Sequence, residues 1–140
     1  MSLFVDTSAF YALLVKSEAD HSAVRRAFAQ AAESGRRMVT TSYVVVESSA
    51  LLQHRIGLAP VRDLTDRVLP LVETVYVDER RHQRGVDRLF RMDRRNVSLV
   101  DAVSFETMED EGISEVLGLD PDFEAEGFRL LPPRPRRSSS

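Results

Sequence analysis

The chain has 140 residues, 43% of them hydrophobic and 29% charged, with a net charge of −3 and no cysteine. That length fits one domain with a core of its own, and the missing thiols exclude disulfides and thiolate metal sites. No apolar run approaches the ~20 residues of a membrane helix, and the opening Met1-Ser2-Leu3-Phe4-Val5-Asp6 lacks the basic leader of a secretion signal, so a soluble cytoplasmic protein is expected.

Leu3-Phe4-Val5 is a short apolar run that reads as a buried strand, and Thr7-Ser8 open a helical stretch from Ala9 to Val15. From His21 to Ser34, apolar residues at Val24, Phe28 and Ala31 or Ala32 keep helical spacing until Gly35 stops them. Met38-Val39-Thr40-Thr41 is a second strand, and Ser42 is placed to cap a helix from Tyr43 to Arg55 that Gly57 closes. Pro60 belongs near the first turn of a further helix reaching about Leu69. Thr74-Val75-Tyr76-Val77 predicts a third strand ending at Asp78, with a long helix following from Glu79 to about Asp93. Ser98-Leu99-Val100-Asp101 has the spacing of a capping box, with Asp in place of the usual Glu, and opens a helix that Gly112 ends. Glu115-Val116-Leu117-Gly118-Leu119 is a fourth strand ending at Asp120, and Phe128-Arg129-Leu130-Leu131 a short last one. Residues 132–140, rich in Pro, Arg and Ser, carry nothing to pack and are expected to be disordered or extended.

Strands alternating with helices predict an α/β fold, a central parallel sheet of four to five strands with helices on both faces. Ligands of such sheets bind beyond the carboxyl ends of the strands, where Asp6 and Asp120 both fall.

Four acids sit in apolar surroundings. Asp6 follows Leu-Phe-Val, Glu47 follows Val44-Val45-Val46 in a helix that otherwise reads as core, Asp101 lies between Leu99-Val100 and Ala102-Val103, and Asp120 closes the fourth strand. A buried, unpaired carboxylate is costly, so each calls for an arginine or a metal. Taken singly, Asp6 and Asp101 have an ordinary explanation as helix caps, and Asp120 as the start of a turn with Pro121. Glu47 lies mid-helix and caps nothing. Clustered carboxylates favour hard divalent cations such as Mg²⁺ and Mn²⁺. Such ions activate water and stabilise charge on a phosphate, so no cysteine or histidine nucleophile is required.

The segments Phe4-Val5-Asp6-Thr7-Ser8-Ala9-Phe10, Thr41-Ser42-Tyr43-Val44-Val45-Val46-Glu47, Ser98-Leu99-Val100-Asp101-Ala102-Val103-Ser104-Phe105 and Leu119-Asp120-Pro121-Asp122-Phe123, then Gly127-Phe128, resemble in order and spacing the four motifs of PIN domains. In length the chain is similar to stand-alone members, especially VapC-type toxins. The resemblance implies a PIN domain over residues 1–131 and a Mg²⁺-dependent endoribonuclease, Mn²⁺ substituting, that acts on tRNA, rRNA or mRNA. It also implies a homodimer and inhibition by a cognate VapB-type antitoxin. By position Asp6, Glu47, Asp101 and Asp120 would be the catalytic, metal-binding acids. Thr7 and Ser8 would be supporting hydroxyls that hold a water beside the metal or a phosphate, or equally plain helix caps. Asp122 competes with Asp120 as the fourth acid; Asp120 is preferred because it directly follows the strand, which leaves Asp122 to the turn.

The negative net charge gives no sign of nucleic-acid binding by the chain as a whole. Lys16 is the only lysine, a bias that a GC-rich genome explains more simply than function. Arg80, Arg84, Arg88, Arg91 and Arg95 step by three or four along the helix after Asp78 and so share a face. They either track an RNA backbone or form a solvated face paired with Asp87 and Asp93. His21 and His82 read as surface residues and His54 as a helix-end residue; no two histidines have zinc-ligand spacing. Phe10 and Tyr43, read as exposed, are candidates for dimer contacts.

Other classes fit less well. A haloacid-dehalogenase-like phosphatase wants an acid where Ser8 stands, and a receiver domain wants a late lysine. A non-catalytic scaffold binding RNA or protein, or a housekeeping RNA-processing nuclease, remains the alternative to a toxin.

Overall fold

A computed structural model describes residues 1–133; the expectation for the tail falls, from residue 134 on, outside the described residues. Five strands, β1 (Leu3–Val5), β2 (Met38–Thr41), β3 (Glu73–Val75), β4 (Glu115–Leu117) and β5 (Arg129–Leu131), form one sheet in the order β3-β2-β1-β4-β5. Every pairing is parallel. β1, β2 and β4 are buried along their whole length, as parallel strands covered on both sides must be.

The helices are α1 (Thr7–Leu14), α2 (His21–Glu33), α3 (Ser42–Arg55), α4 (Leu58–Asp63), α5 (Glu79–Met92), α6 (Leu99–Glu111) and α7 (Asp122–Ala125). With right-handed crossovers, the β1–β2 and β2–β3 connections lay α1 to α4 on one face. The β3–β4 connection runs back across the sheet and lays α5 and α6 on the other. The strand order therefore reverses beside β1, which makes the carboxyl ends of β1 and β4 the switch point where α/β sheets bind ligands.

Phe4, Phe10, Phe105 and Phe123 are the largest fully buried side chains, with Phe105 and Phe123 edge to face at 5.0 Å between ring centroids. α5 packs against α6 through Gly85, where a Cβ would lie 2.4 Å from Cγ2 of Val103; a side chain there would push the helices apart.

The structure corrects several expectations. Thr41, not Ser42, caps α3, its hydroxyl accepting the Val44 N–H. Only Val44, Ser48 and Leu52 of α3 are buried, while Val46 is 68% exposed, so the valine run before Glu47 wraps the helix rather than filling a core. The helix around Pro60 is short; a π-helical turn (Leu64–Val68) and a 3₁₀ turn (Leu69–Leu71) replace its second half. β3 ends at Val75, leaving Tyr76 exposed. Phe10 is fully buried and offers nothing to a dimer. Tyr43 and His82 are spent on one another, hydroxyl against Nδ1, and His21 Nδ1 meets the Ala12 carbonyl at 2.8 Å.

Candidate active site

Asp6 stands at the N-cap position of α1 but its side chain makes no capping bond. It is 4% exposed, and its Oδ2 accepts from the Ser8 hydroxyl at 3.2 Å. Burial, then the charge of Asp101, with smaller contributions from Asp120 and Glu47, push its carboxyl up to about 7. The capping explanation for Asp6 therefore fails, and a buried carboxylate among like charges is what remains.

Asp101 is both a capping-box residue and a member of the acid cluster. Its Oδ2 accepts the Ser98 N–H at 3.0 Å while the Ser98 hydroxyl accepts the Asp101 N–H at 3.1 Å, completing the capping box. Burial, then the charges of Asp120 and Glu47, still raise its carboxyl to about 6 against the lowering effect of the Ser98 bonds. Glu47, one turn into α3, is felt electrostatically by both aspartates, and no cation pairs with it among the described residues.

Ser8 bridges two segments. Its hydroxyl donates to Asp6 and accepts the Leu119 N–H at 2.9 Å, tying the turn after β1 to the end of β4. Gly118 makes room for that tie, since a Cβ there would lie 3.2 Å from Asp6 Cβ and 3.3 Å from Ser8 Oγ. The Thr7 hydroxyl oxygen is buried without a hydrogen-bond partner.

Asp120 and Asp122 both reach the cluster. Asp101, Asp120 and Asp122 each offer a carboxylate oxygen within 4.8 Å of the others. Asp122 is not a loose turn residue: it opens α7, is 6% exposed, and is gripped by Arg94 and Asn96. Sequence reasoning gives neither Asn96 nor Arg94 a place in the site. Their partner lies 26 to 28 residues further along the chain, so no local pattern announces them.

The arginine stripe is also revised. Arg88 is 7% exposed, lies over the Phe105 ring at 5.2 Å and pairs with Glu106 at 2.7 Å, Glu109 at 3.0 Å and Glu126 at 2.8 Å. Arg84 pairs with Glu106 and Asp110. These two hold α5 to α6 and are committed to the fold, with partners other than the expected Asp87 and Asp93. Arg80 and Arg91 are exposed, and neither has an ion pair among the described residues.

The donor set fits a hard divalent cation. It consists of carboxylate oxygens from the turn before α1, from α3 and α6, and from the segment after β4, with like charges felt at Asp6 and Asp101. Among the described residues a hydroxyl without a hydrogen-bond partner lies next to Asp6 in the chain. Such a cluster can lower the cost of negative charge on a phosphate only once it holds a metal.

Residues 3–128 match the PIN domain family. The 23S rRNA-specific endonuclease VapC20 of Mycobacterium tuberculosis, found in two strains, is 33% identical to this chain over 127 residues, covering 90% of this chain and 95% of that protein. The crystal structure of Mycobacterium tuberculosis VapC20, described as a sarcin–ricin loop cleaving toxin, superposes with a TM-score of 0.79 at 32% identity, over 90% of this chain and 95% of that one.

Proposed function

The chain belongs to the PIN-domain family and is a VapC-type endoribonuclease, and we propose that it cuts RNA through a divalent cation held by Asp6, Glu47, Asp101 and Asp120. The observation that carries this reading is the approach of Asp101 and Asp120 within 4.8 Å at the carboxyl edge of the sheet, where Asp6 and Asp101 feel the charges of Asp120 and Glu47. A bound Mg²⁺, or Mn²⁺ in its place, supplies Lewis-acid stabilisation of the phosphate and a more acidic water.

The protein's own residues do the positioning. Ser8 fixes the Asp6 carboxylate by donating to it, and the Ser98 N–H fixes that of Asp101. Asp6 and Asp101 hold protons more readily than ordinary carboxyls, so cation binding competes with protons and strengthens as pH rises through about 6 to 7. Arg80 and Arg91, free of ion pairs among the described residues, take the RNA backbone; Arg84 and Arg88 do not.

A structured ribosomal RNA loop is the substrate class that the likeness to VapC20 supports. A VapB-type antitoxin is the partner, and exposed Ile56 before α4 and Leu58 at its start support a homodimer. The test is cleavage of ribosomal RNA by antitoxin-free protein with Mg²⁺, with Mn²⁺ and with EDTA, cut sites being mapped by primer extension. Metal-dependent cutting confined to one loop is expected. Cutting that persists in EDTA sinks the metal mechanism, and cutting only of tRNA or mRNA sinks the substrate assignment.

A further inference from the structure

Three carboxylates, Asp101, Asp120 and Asp122, crowd within 4.8 Å of one another at one edge of the site, and they are not equivalent. Both oxygens of Asp122 are taken. Its Oδ1 accepts from Arg94 Nη2 at 2.8 Å and from Asn96 Nδ2 at 3.0 Å, and its Oδ2 accepts from the same Asn96 nitrogen at 3.0 Å. Arg94 brings an opposite charge to it, and a carboxylate already bound to a guanidinium makes a poor cation ligand. The Asp122 main chain turns back instead, its N–H donating to Asp120 Oδ1 at 2.9 Å.

The donors to Asp122 come from the loop between α5 and α6. That loop begins at Asp93, whose left-handed backbone (φ 49°) stops α5, and ends at Ser98, whose N–H binds Asp101. One short loop thus grips both sides of the acid cluster. From Asp120 the path runs to the Asp122 N–H, from the Asp122 carboxylate to Asn96, and two residues on to Ser98 and Asp101. The far end of α7 is held as well, by Arg88 on Glu126 at 2.8 Å.

We propose that Asp122 is the anchor of the turn carrying Asp120 and not a cation ligand, and that Arg94 and Asn96 are positioning residues that set the separation of Asp120 from Asp101. This rests on the reading of the cluster as a cation site. The side chains of Arg94 and Asn96 lie at the surface, so substituting them leaves the core intact.

The test is Mn²⁺ affinity of the full-length, antitoxin-free protein, by calorimetry or electron paramagnetic resonance, alongside RNA cleavage and thermal melting. Asp120→Asn should weaken Mn²⁺ binding at least about tenfold, and Asp122→Asn by less than about threefold. Asn96→Ala should slow cleavage about tenfold or more, in kcat rather than KM. Arg94→Ala frees a carboxylate beside the site, so it should bind Mn²⁺ more tightly yet cleave more slowly. Adding Asp122→Asn to it should bring both quantities back toward wild type. A merely structural role would give neither the opposed changes nor the rescue. Equal loss of Mn²⁺ in Asp122→Asn and Asp120→Asn overturns the anchor, as does an Arg94→Ala defect that Asp122→Asn does not repair. Wild-type protein that binds no Mn²⁺ overturns the cation reading itself, and the anchor with it.

Discussion

The two edges of the sheet use the same residue types to opposite ends. At the amino edge three acids have arginine partners: Arg36 meets Glu115 at 2.7 Å, Arg129 meets Glu115 at 3.3 Å, and Arg37 meets Glu73 at 2.8 Å and Glu111 at 3.3 Å. At the carboxyl edge Asp6 and Asp101 have, among the described residues, hydroxyl and N–H donors and no ion pair, and both feel the charges of Asp120 and Glu47. In one α/β chain the acids at the amino edge are neutralised within the fold, whereas Asp6 and Asp101 sit among like charges, the setting in which a perturbed carboxyl becomes a functional candidate.

The sharpest way to break that contrast is to remove charge from the carboxyl edge. Asp101→Asn and Asp6→Asn should each lower RNA cleavage about a thousandfold or more while leaving the protein folded. Without metal at pH 8, Asp6→Asn should melt higher than wild type, because a buried repulsion is gone. A variant that cleaves normally would remove its acid from the mechanism; one that melts lower would mean that the acid is paired after all.

Next in size is Arg88, the one buried arginine among the described residues. Arg88→Ala leaves Glu126 without that cation and Glu106 with Arg84 alone, and should cost about 3–5 kcal/mol of stability in denaturant titration. A loss under about 1 kcal/mol would place it with ordinary surface pairs.

The two kinds of acid also predict opposite responses to pH. Asp6 and Asp101 have folded pKa values raised to about 7 and about 6 from 3.8. The folded state therefore binds more protons than the unfolded one, and stability falls as pH rises from about 4 to about 7. Glu73 and Asp110 are lowered, chiefly through their arginine hydrogen bonds against the opposing effect of burial; their contribution is present above their unfolded pKa and lost as pH falls. Melting in EDTA should show the decline above pH 5, by on the order of 1–3 kcal/mol, and Mn²⁺ should abolish it. A metal-free profile flat from pH 5 to 8 would contradict the raised carboxyls.

These edges differ in how legible they are. Asp6, Asp101 and Asp120 stand out because each interrupts or ends an apolar run, and the α/β alternation places two of them at strand ends before any coordinates are known. Glu47 was legible for a reason the structure changes: Val46 is exposed, so its apolar setting is only partial. Asn96 and the partners of Arg84 and Arg88 were not legible, because an ion pair between elements 18 or more residues apart has no period or spacing. The helix α7 is four residues long, too short for any periodicity to register, and that hid the burial of Asp122.

The smallest effect belongs to the pair that looks best on paper. Arg37 forks onto Glu73 with two bonds, at 2.8 and 2.9 Å, yet its side chain is 42% exposed and that of Glu73 53%. Both ends are solvated when apart, so little is gained on pairing beyond what water already supplies, and two long side chains lose rotamer freedom. Glu73→Gln should cost less than about 1 kcal/mol, shrinking further in high salt, and should leave cleavage untouched because it sits at the opposite end of β3 from the site. A salt-independent loss of several kcal/mol would mean that the amino edge is held by its charges. A small, salt-sensitive one leaves the buried strands as what holds the sheet.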